Sequence, residues 1–142
     1  MKILFDTSAL IELERQNQEA IALVKGLITS SEEIVISTVT ISEVLLGVYF
    51  QKAHEKIEEA KKLLSQFKWI PLDENIADVA AQYEALLLNI GNEIEFKDVA
   101  IAATFAATKS DFLITQNKRH FQILPDIGNR AKTIAEFSKI YR

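Results

Sequence analysis

Three carboxylic acids and one polar turn in this chain have the chemistry to hold a hard divalent cation: Asp6, Glu43, Asp98 and the segment Thr115-Gln116-Asn117. Each acid adjoins apolar sequence. Asp6 closes the run Ile3-Leu4-Phe5, Glu43 precedes Val44-Leu45-Leu46, and Asp98 precedes Val99-Ala100-Ile101-Ala102-Ala103. If the three converge, two unit charges about 5 Å apart at an effective dielectric near 20 repel by about 3 kcal/mol, so something positive must sit among them. Lys97 is the one neighbouring cation, and it points off the apolar stripe of its helix. A divalent ion is the simplest answer. Oxygen ligands without Cys or paired His favour Mg²⁺ or Mn²⁺ over zinc, and such an ion suits hydrolysis of a phosphodiester.

Each residue also has an ordinary structural role open to it. Asp6, Thr7 and Ser8 are all good helix N-caps, and Ser8 could instead orient a neighbouring carboxylate. Thr40-Ile41-Ser42-Glu43 matches a capping box, with Thr40 as N-cap and Glu43 at N3. Asp98 is harder to explain this way, because Ile101, Ala102 and Phe105 follow at i+3, i+4 and i+7 and place it on the core-facing stripe. The helix dipole offers an exposed first-turn acid only about 0.3–1 kcal/mol, small beside the cost of burying an unpaired charge. Thr115 and Asn117 could be caps of a strand-to-helix turn, with Lys118 and Arg119 simply solvated or lying where a phosphate would arrive. A single histidine beside Phe121, as His120 is, is ordinarily packed or exposed.

The elements that must position these residues are short. Ile3-Leu4-Phe5, Ile34-Val35-Ile36, Trp69-Ile70 and Phe112-Leu113-Ile114 are continuous apolar runs of the kind found in buried parallel strands. Helical spacing starts at Ala9, Leu10 and Leu13 and recurs at Ile21, Val24, Leu27 and Ile28, then at Ile41, Val44, Leu45 and Val48. It returns at Ala53, Ile57, Ala60 and Leu64, with a charged face around His54. A further helix carries Ile76, Val79, Ala80, Tyr83 and Leu87, capped by Asp73 and stopped at Gly91; the last carries Ile101, Ala102 and Phe105. Near Thr133-Ile134 the pattern suits a final strand or a helix equally. Trp69 is expected in the core or at the edge of an interface.

Strands alternating with helices predict an α/β fold, a three-layer α/β/α sandwich with a mostly parallel central sheet and right-handed crossovers. Ligands in such sheets bind beyond the carboxyl ends of the strands, where Asp6 and Thr115 fall. The 142 residues, with four Gly, two Pro and no repeat or linker, are expected to form one domain over 1–142. No cysteine is present, which excludes disulfides, zinc thiolates and cysteine nucleophiles. No apolar run approaches the roughly 20 residues of a membrane span, and one lysine followed by an acid at position 6 is unlike a signal peptide, so a cytoplasmic location is expected. The net charge of −4 is unevenly spread: residues 1–108 hold 9 Lys/Arg against 17 Asp/Glu, and residues 109–142 hold 7 against 3. The C-terminal segment could therefore meet phosphate.

The run Ile3 to Leu10, the pair Ser42-Glu43, the segment Asp98 to Thr104 and the turn Thr115-Gln116-Asn117 together resemble the PIN-domain ribonucleases, in particular the VapC-type toxins. The likeness spans nearly the whole chain in the right order. It implies an endoribonuclease acting on RNA with Mg²⁺ or Mn²⁺ as cofactor, an antitoxin partner that blocks the site, and a homodimer. It assigns metal binding to Asp6, Glu43 and Asp98; beside them, Thr115 and Asn117 are read as catalytic residues that orient water or phosphate. Many members carry a fourth acid where this chain has Asn117, which bears on a second metal site. Two other readings remain: a PIN-like binding or dimerisation module without activity, and a metal-dependent phosphatase. The second lacks the usual Asp-x-Asp signature, since position 8 is serine.

Overall fold

A computed structural model describes residues 1–141. Five strands form one sheet: β1 (Lys2–Phe5), β2 (Glu33–Ser37), β3 (Lys68–Ile70), β4 (Phe112–Ile114) and β5 (Ala131–Lys132). Their spatial order is β3-β2-β1-β4-β5, and every neighbouring pair is parallel. The helices are α1 (Thr7–Glu14), α2 (Gln18–Thr29), α3 (Thr38–Phe50), α4 (Ile57–Leu64), α5 (Glu74–Asn89), α6 (Phe96–Thr108), α7 (Lys118–Gln122) and α8 (Ile134–Tyr141).

Successive residues of the central strands serve opposite layers, because side chains alternate across a pleated sheet. Ile3, Phe5, Ile34, Ile36 and Ile114 enter a core shared with α1, α2, α3, α4 and α8. Leu4, Val35 and Leu113 enter the other, with Ile76, Ala80 and Tyr83 of α5 and Val99, Ile101 and Phe105 of α6. Both faces are covered, so the strands need no polar alternation, and the expected three-layer architecture is the one observed. Asp73 caps α5 by accepting from the Ile76 amide at 2.9 Å, and Gly91 after its end takes the left-handed φ of 69°.

Three local expectations are corrected. The capping box at Thr40 and Glu43 does not form: β2 ends at Ser37, whose hydroxyl accepts from the Val39 amide at 3.1 Å and starts α3 at Thr38. Thr40 is then fully buried inside the helix and Glu43 lies beyond the first turn. The helix expected from Ala53 begins at Ile57, after a single 3₁₀ turn over His54–Lys56. At the C-terminal end both options form in succession, with β5 at Ala131–Lys132 and helix from Ile134. A capping box sets that boundary: the Glu136 amide donates to Thr133 Oγ1 at 3.1 Å, and the Thr133 amide donates to Glu136 Oε2 at 2.9 Å. Trp69 lies on the edge strand β3, 49% exposed, with its Nε1 donating to the Leu64 carbonyl.

Candidate active site

The crossover direction reverses between β1 and β4, and at that switch a parallel sheet leaves a crevice beyond its carboxyl ends. Asp6 follows β1 there and Thr115 follows β4. The Asp6 amide donates to the Ile114 carbonyl at 3.0 Å, locking the two strand exits side by side.

Asp6 is 2% exposed. Its Oδ1 accepts from Ser8 Oγ at 2.6 Å and from the Ala9 amide at 3.1 Å, and its Oδ2 accepts from Thr115 Oγ1 at 2.6 Å. It is thus the cap of α1, as its ordinary role required, and also the centre of a buried polar network. Burial pushes its carboxyl up to about 6; the donations from Ser8, Thr115 and Ala9 oppose that, and the charge of Asp98 adds to it. Ser8 Oγ also accepts from the Gln116 amide at 2.8 Å and Thr115 Oγ1 from the Asn117 amide at 2.9 Å, so the turn is tied to the carboxylate through two hydroxyls.

Asp98 is the third residue of α6, half-buried where the helix begins. Burial raises its pKa, the His120 ring opposes this, and the charges of Glu43 and Glu95 reinforce it. Asp98 Oδ2 lies 2.8 Å from His120 Nδ1. Glu43 comes from α3: its Oε1 accepts from Thr7 Oγ1 at 2.6 Å and its Oε2 meets Lys97 Nζ at 3.2 Å. The Lys97 pKa is raised, first by that contact with Glu43.

The structure therefore sets the three acids around one crevice, where Asp98 acts electrostatically on Asp6 and Glu43 on Asp98. It does not bring three of their side chains together as they lie: among the described residues no group of three or more His, Asp or Glu is placed to hold a metal ion. The outer two acids face partners of their own instead. Lys97, expected to point away, reaches Glu43, and His120 reaches Asp98. Thr7, Lys97 and His120 are the contacts that sequence reasoning missed. The one available signal for His120 was its position one helical turn after Asn117 in a stretch too short for periodicity.

The donor set still fits a hard divalent ion. Each carboxylate oxygen has two lone pairs. Asp6 Oδ1 has two donors, whereas Oδ2 has one and keeps a lone pair; Asp98 Oδ1 has no partner among the described residues. By the same count Oε1 and Oε2 of Glu43, each facing one protein donor, keep a lone pair apiece, so all three acids retain oxygen capacity. Asn117 is exposed at the rim. A cleft of about 400 Å³ opens beside it, lined by Asn117, Arg119, His120 and Thr133 among others. Lys118 is tied to Glu136 at 2.7 Å, which leaves Arg119 as the rim cation without an ion pair among the described residues.

Known proteins resemble this chain in sequence and in fold. The PIN domain family model matches residues 3–126. Ribonuclease VapC19 of Mycobacterium tuberculosis is 29% identical over 124 residues, covering 87% of this chain and 95% of that protein. A VapC ribonuclease of Pyrococcus furiosus is 30% identical over 137 residues, covering 96% and 89%. Among solved structures, VapBC2 of Rickettsia felis bound to promoter DNA shares the fold at a TM-score of 0.83 with 19% identity, covering 94% of this chain and 98% of that one. A toxin–antitoxin complex from Klebsiella pneumoniae matches at 0.68 with 28% identity, covering 88% and 94%. The chain belongs to the PIN-domain family, among its VapC-type members.

Proposed function

We propose that this chain is a divalent-metal-dependent endoribonuclease and the toxin of a toxin–antitoxin pair. The observation that carries the reading is the buried carboxylate of Asp6 at the sheet's switch point, held by Ser8 and Thr115 and electrostatically coupled to Asp98. A fixed anion at that depth is expensive to maintain, and a cation offsets it. Relatives of similar length are named ribonucleases, which supports RNA as the substrate.

Asp6 and Asp98 would hold Mg²⁺ or Mn²⁺, with Glu43 directly or through water. When bound, such an ion supplies an activated water and a counter-charge for the phosphate. The residues of the chain do the rest. Ser8 and Thr115 fix the orientation of Asp6, Asn117 stands at the rim to orient water or a phosphate oxygen, and Arg119 neutralises backbone charge on an incoming strand. Hydrolysis by this set needs no covalent enzyme intermediate.

An antitoxin partner is supported by the solved relatives at 28% identity, a toxin–antitoxin complex from Klebsiella pneumoniae and FitAcB from Neisseria gonorrhoeae. Leu46, Tyr49 and Phe50 on α3 and Leu88 and Ile90 at the end of α5 leave exposed apolar surface for that partner and for a homodimer. Cytoplasmic action belongs to the same reading; among the described residues no helix is long and apolar enough to cross a membrane. The contacts Glu43–Lys97 and Asp98–His120 favour one competing reading, an inactive binding module whose outer two acids are already engaged by side chains of the protein. Incubating the protein with structured RNA with and without Mg²⁺ decides between them: the nuclease cleaves only with the ion, and the inactive module in neither case.

A further inference from the structure

We propose that the cleft beside the acids seats one unpaired nucleotide of the RNA, and that Gln122 is the residue that reads its base. The inference rests on the endoribonuclease reading above and adds a specificity determinant to it. The cleft, of about 400 Å³, is lined by the turn Gln116-Asn117, by α7 and by Thr133 ahead of α8. It adjoins the acids at two points. His120 of its lining lies 2.8 Å from Asp98, and the Asn117 amide donates to Thr115 Oγ1, which in turn donates to Asp6. A strand whose phosphate lies at the acids therefore has a flanking nucleotide at this cleft.

The chemistry of the lining suits a base on a charged backbone. No carboxylate and no Phe, Tyr or Trp lines the cleft among the described residues, which favours a polyanion over an apolar peptide. Glu136, which approaches from α8, is met by Lys118 and by the Thr133 amide. Primary amides offer a donor and an acceptor side by side, the pairing that a base edge requires. Of the three here, Gln116 gives its Oε1 to the Ile134 amide at 3.2 Å, and Asn117 stands next to Thr115, on the phosphate side. Gln122 lies further along α7, with neither end of its side-chain amide bonded among the described residues. Arg119, three residues before it, shares its face of the helix, so Arg119 holds the backbone of the nucleotide whose edge Gln122 meets. The volume is at the low end of small-molecule sites, about 300–1,000 Å³, and so admits one nucleotide. That base must be unpaired, because pairing occupies one of its edges and the deep, narrow major groove of A-form RNA closes another to side chains. Gln122 takes no part in the chemistry.

The test is cleavage of a randomised single-stranded RNA library with Mn²⁺ by the full chain, as wild type, Gln122→Ala and Arg119→Ala, read by sequencing the new ends. Gln122 and Arg119 are exposed, and thermal melting checks that each variant is folded. The wild type should prefer one base at a position flanking the cut. Gln122→Ala should bring that preference down by about tenfold, the discrimination carried by one bidentate base contact, and leave the other positions as they were. Arg119→Ala should lower kcat/KM by a similar factor for every sequence. The favoured sequence annealed to its complement should be cut about tenfold more slowly than the single strand, or not at all. A flat wild-type profile, a Gln122→Ala profile identical to the wild type, a loss in Gln122→Ala shared equally by all sequences, or equal cutting of the duplex overturns the inference and leaves the endoribonuclease reading intact. No cleavage by the wild type overturns both.

Discussion

Replacing Asp6 by asparagine removes a buried charge whose free energy can be worked out from its surroundings. Burial lifts this carboxyl from its ordinary 3.8 to about 6, against the donations of Ser8, Thr115 and the Ala9 amide. A tenfold change in proton affinity is worth about 1.4 kcal/mol, so holding Asp6 ionised makes the fold about 3 kcal/mol less stable at neutral pH than at a pH where the acid is protonated in both states. The sign follows from proton counting. Between about pH 4 and 6 the folded state binds the proton that the unfolded state has released, so stability falls as pH rises, then levels off above the folded pKa. In a metal-free protein about 1.4 kcal/mol of this falls between pH 5 and pH 8. Urea unfolding of the wild type and Asp6→Asn, both in chelator, should therefore show the variant gaining about that much relative to the wild type from pH 5 to pH 8. A stability difference that stays constant across this range would refute the argument that Asp6 is a strained, desolvated anion.

Thr115→Val deletes the donor to Asp6 Oδ2 and the acceptor for the Asn117 amide at a fully buried position. It should lower unfolding stability by about 1–3 kcal/mol, and an unchanged urea midpoint would contradict the network. Arg119→Ala should weaken binding of a non-cleavable RNA and flatten its salt dependence by about 0.7 in log–log slope, the share of one phosphate contact on a single strand. Lys118→Ala should do less, because Glu136 already holds that ammonium; equal effects in a salt titration would show that the ion pair opens on binding.

Much of the fold could be read from the sequence because the strands are buried on both faces and appear as unbroken apolar runs, as at Ile3-Leu4-Phe5 and Ile34-Val35-Ile36. Asp73 and Gly91 marked the ends of α5 by local chemistry alone. The start of α3 was misplaced because Ser37 and Thr40 are both competent caps; which one serves depends on where β2 lets go of the sheet, a tertiary property. The candidate acids could be located because each interrupts apolar sequence at an element boundary or on a helix face. Their partners could not. Lys97 meets Glu43 across two helices far apart in the chain, and a helical wheel centred on Asp98 turns it away. His120 lies on a helix of five residues, too short to declare which side faces the acids. Long side chains reaching between elements leave no periodic trace.

RNA cleavage by the purified protein, measured with Mg²⁺ or Mn²⁺ and again in chelator, for the wild type and for Asp6→Asn and Asp98→Asn, addresses the function most directly. The wild type should cut with the ion and not in chelator, and neither folded variant should cut under any condition. Cleavage that survives the chelator, or that either variant retains, would contradict it.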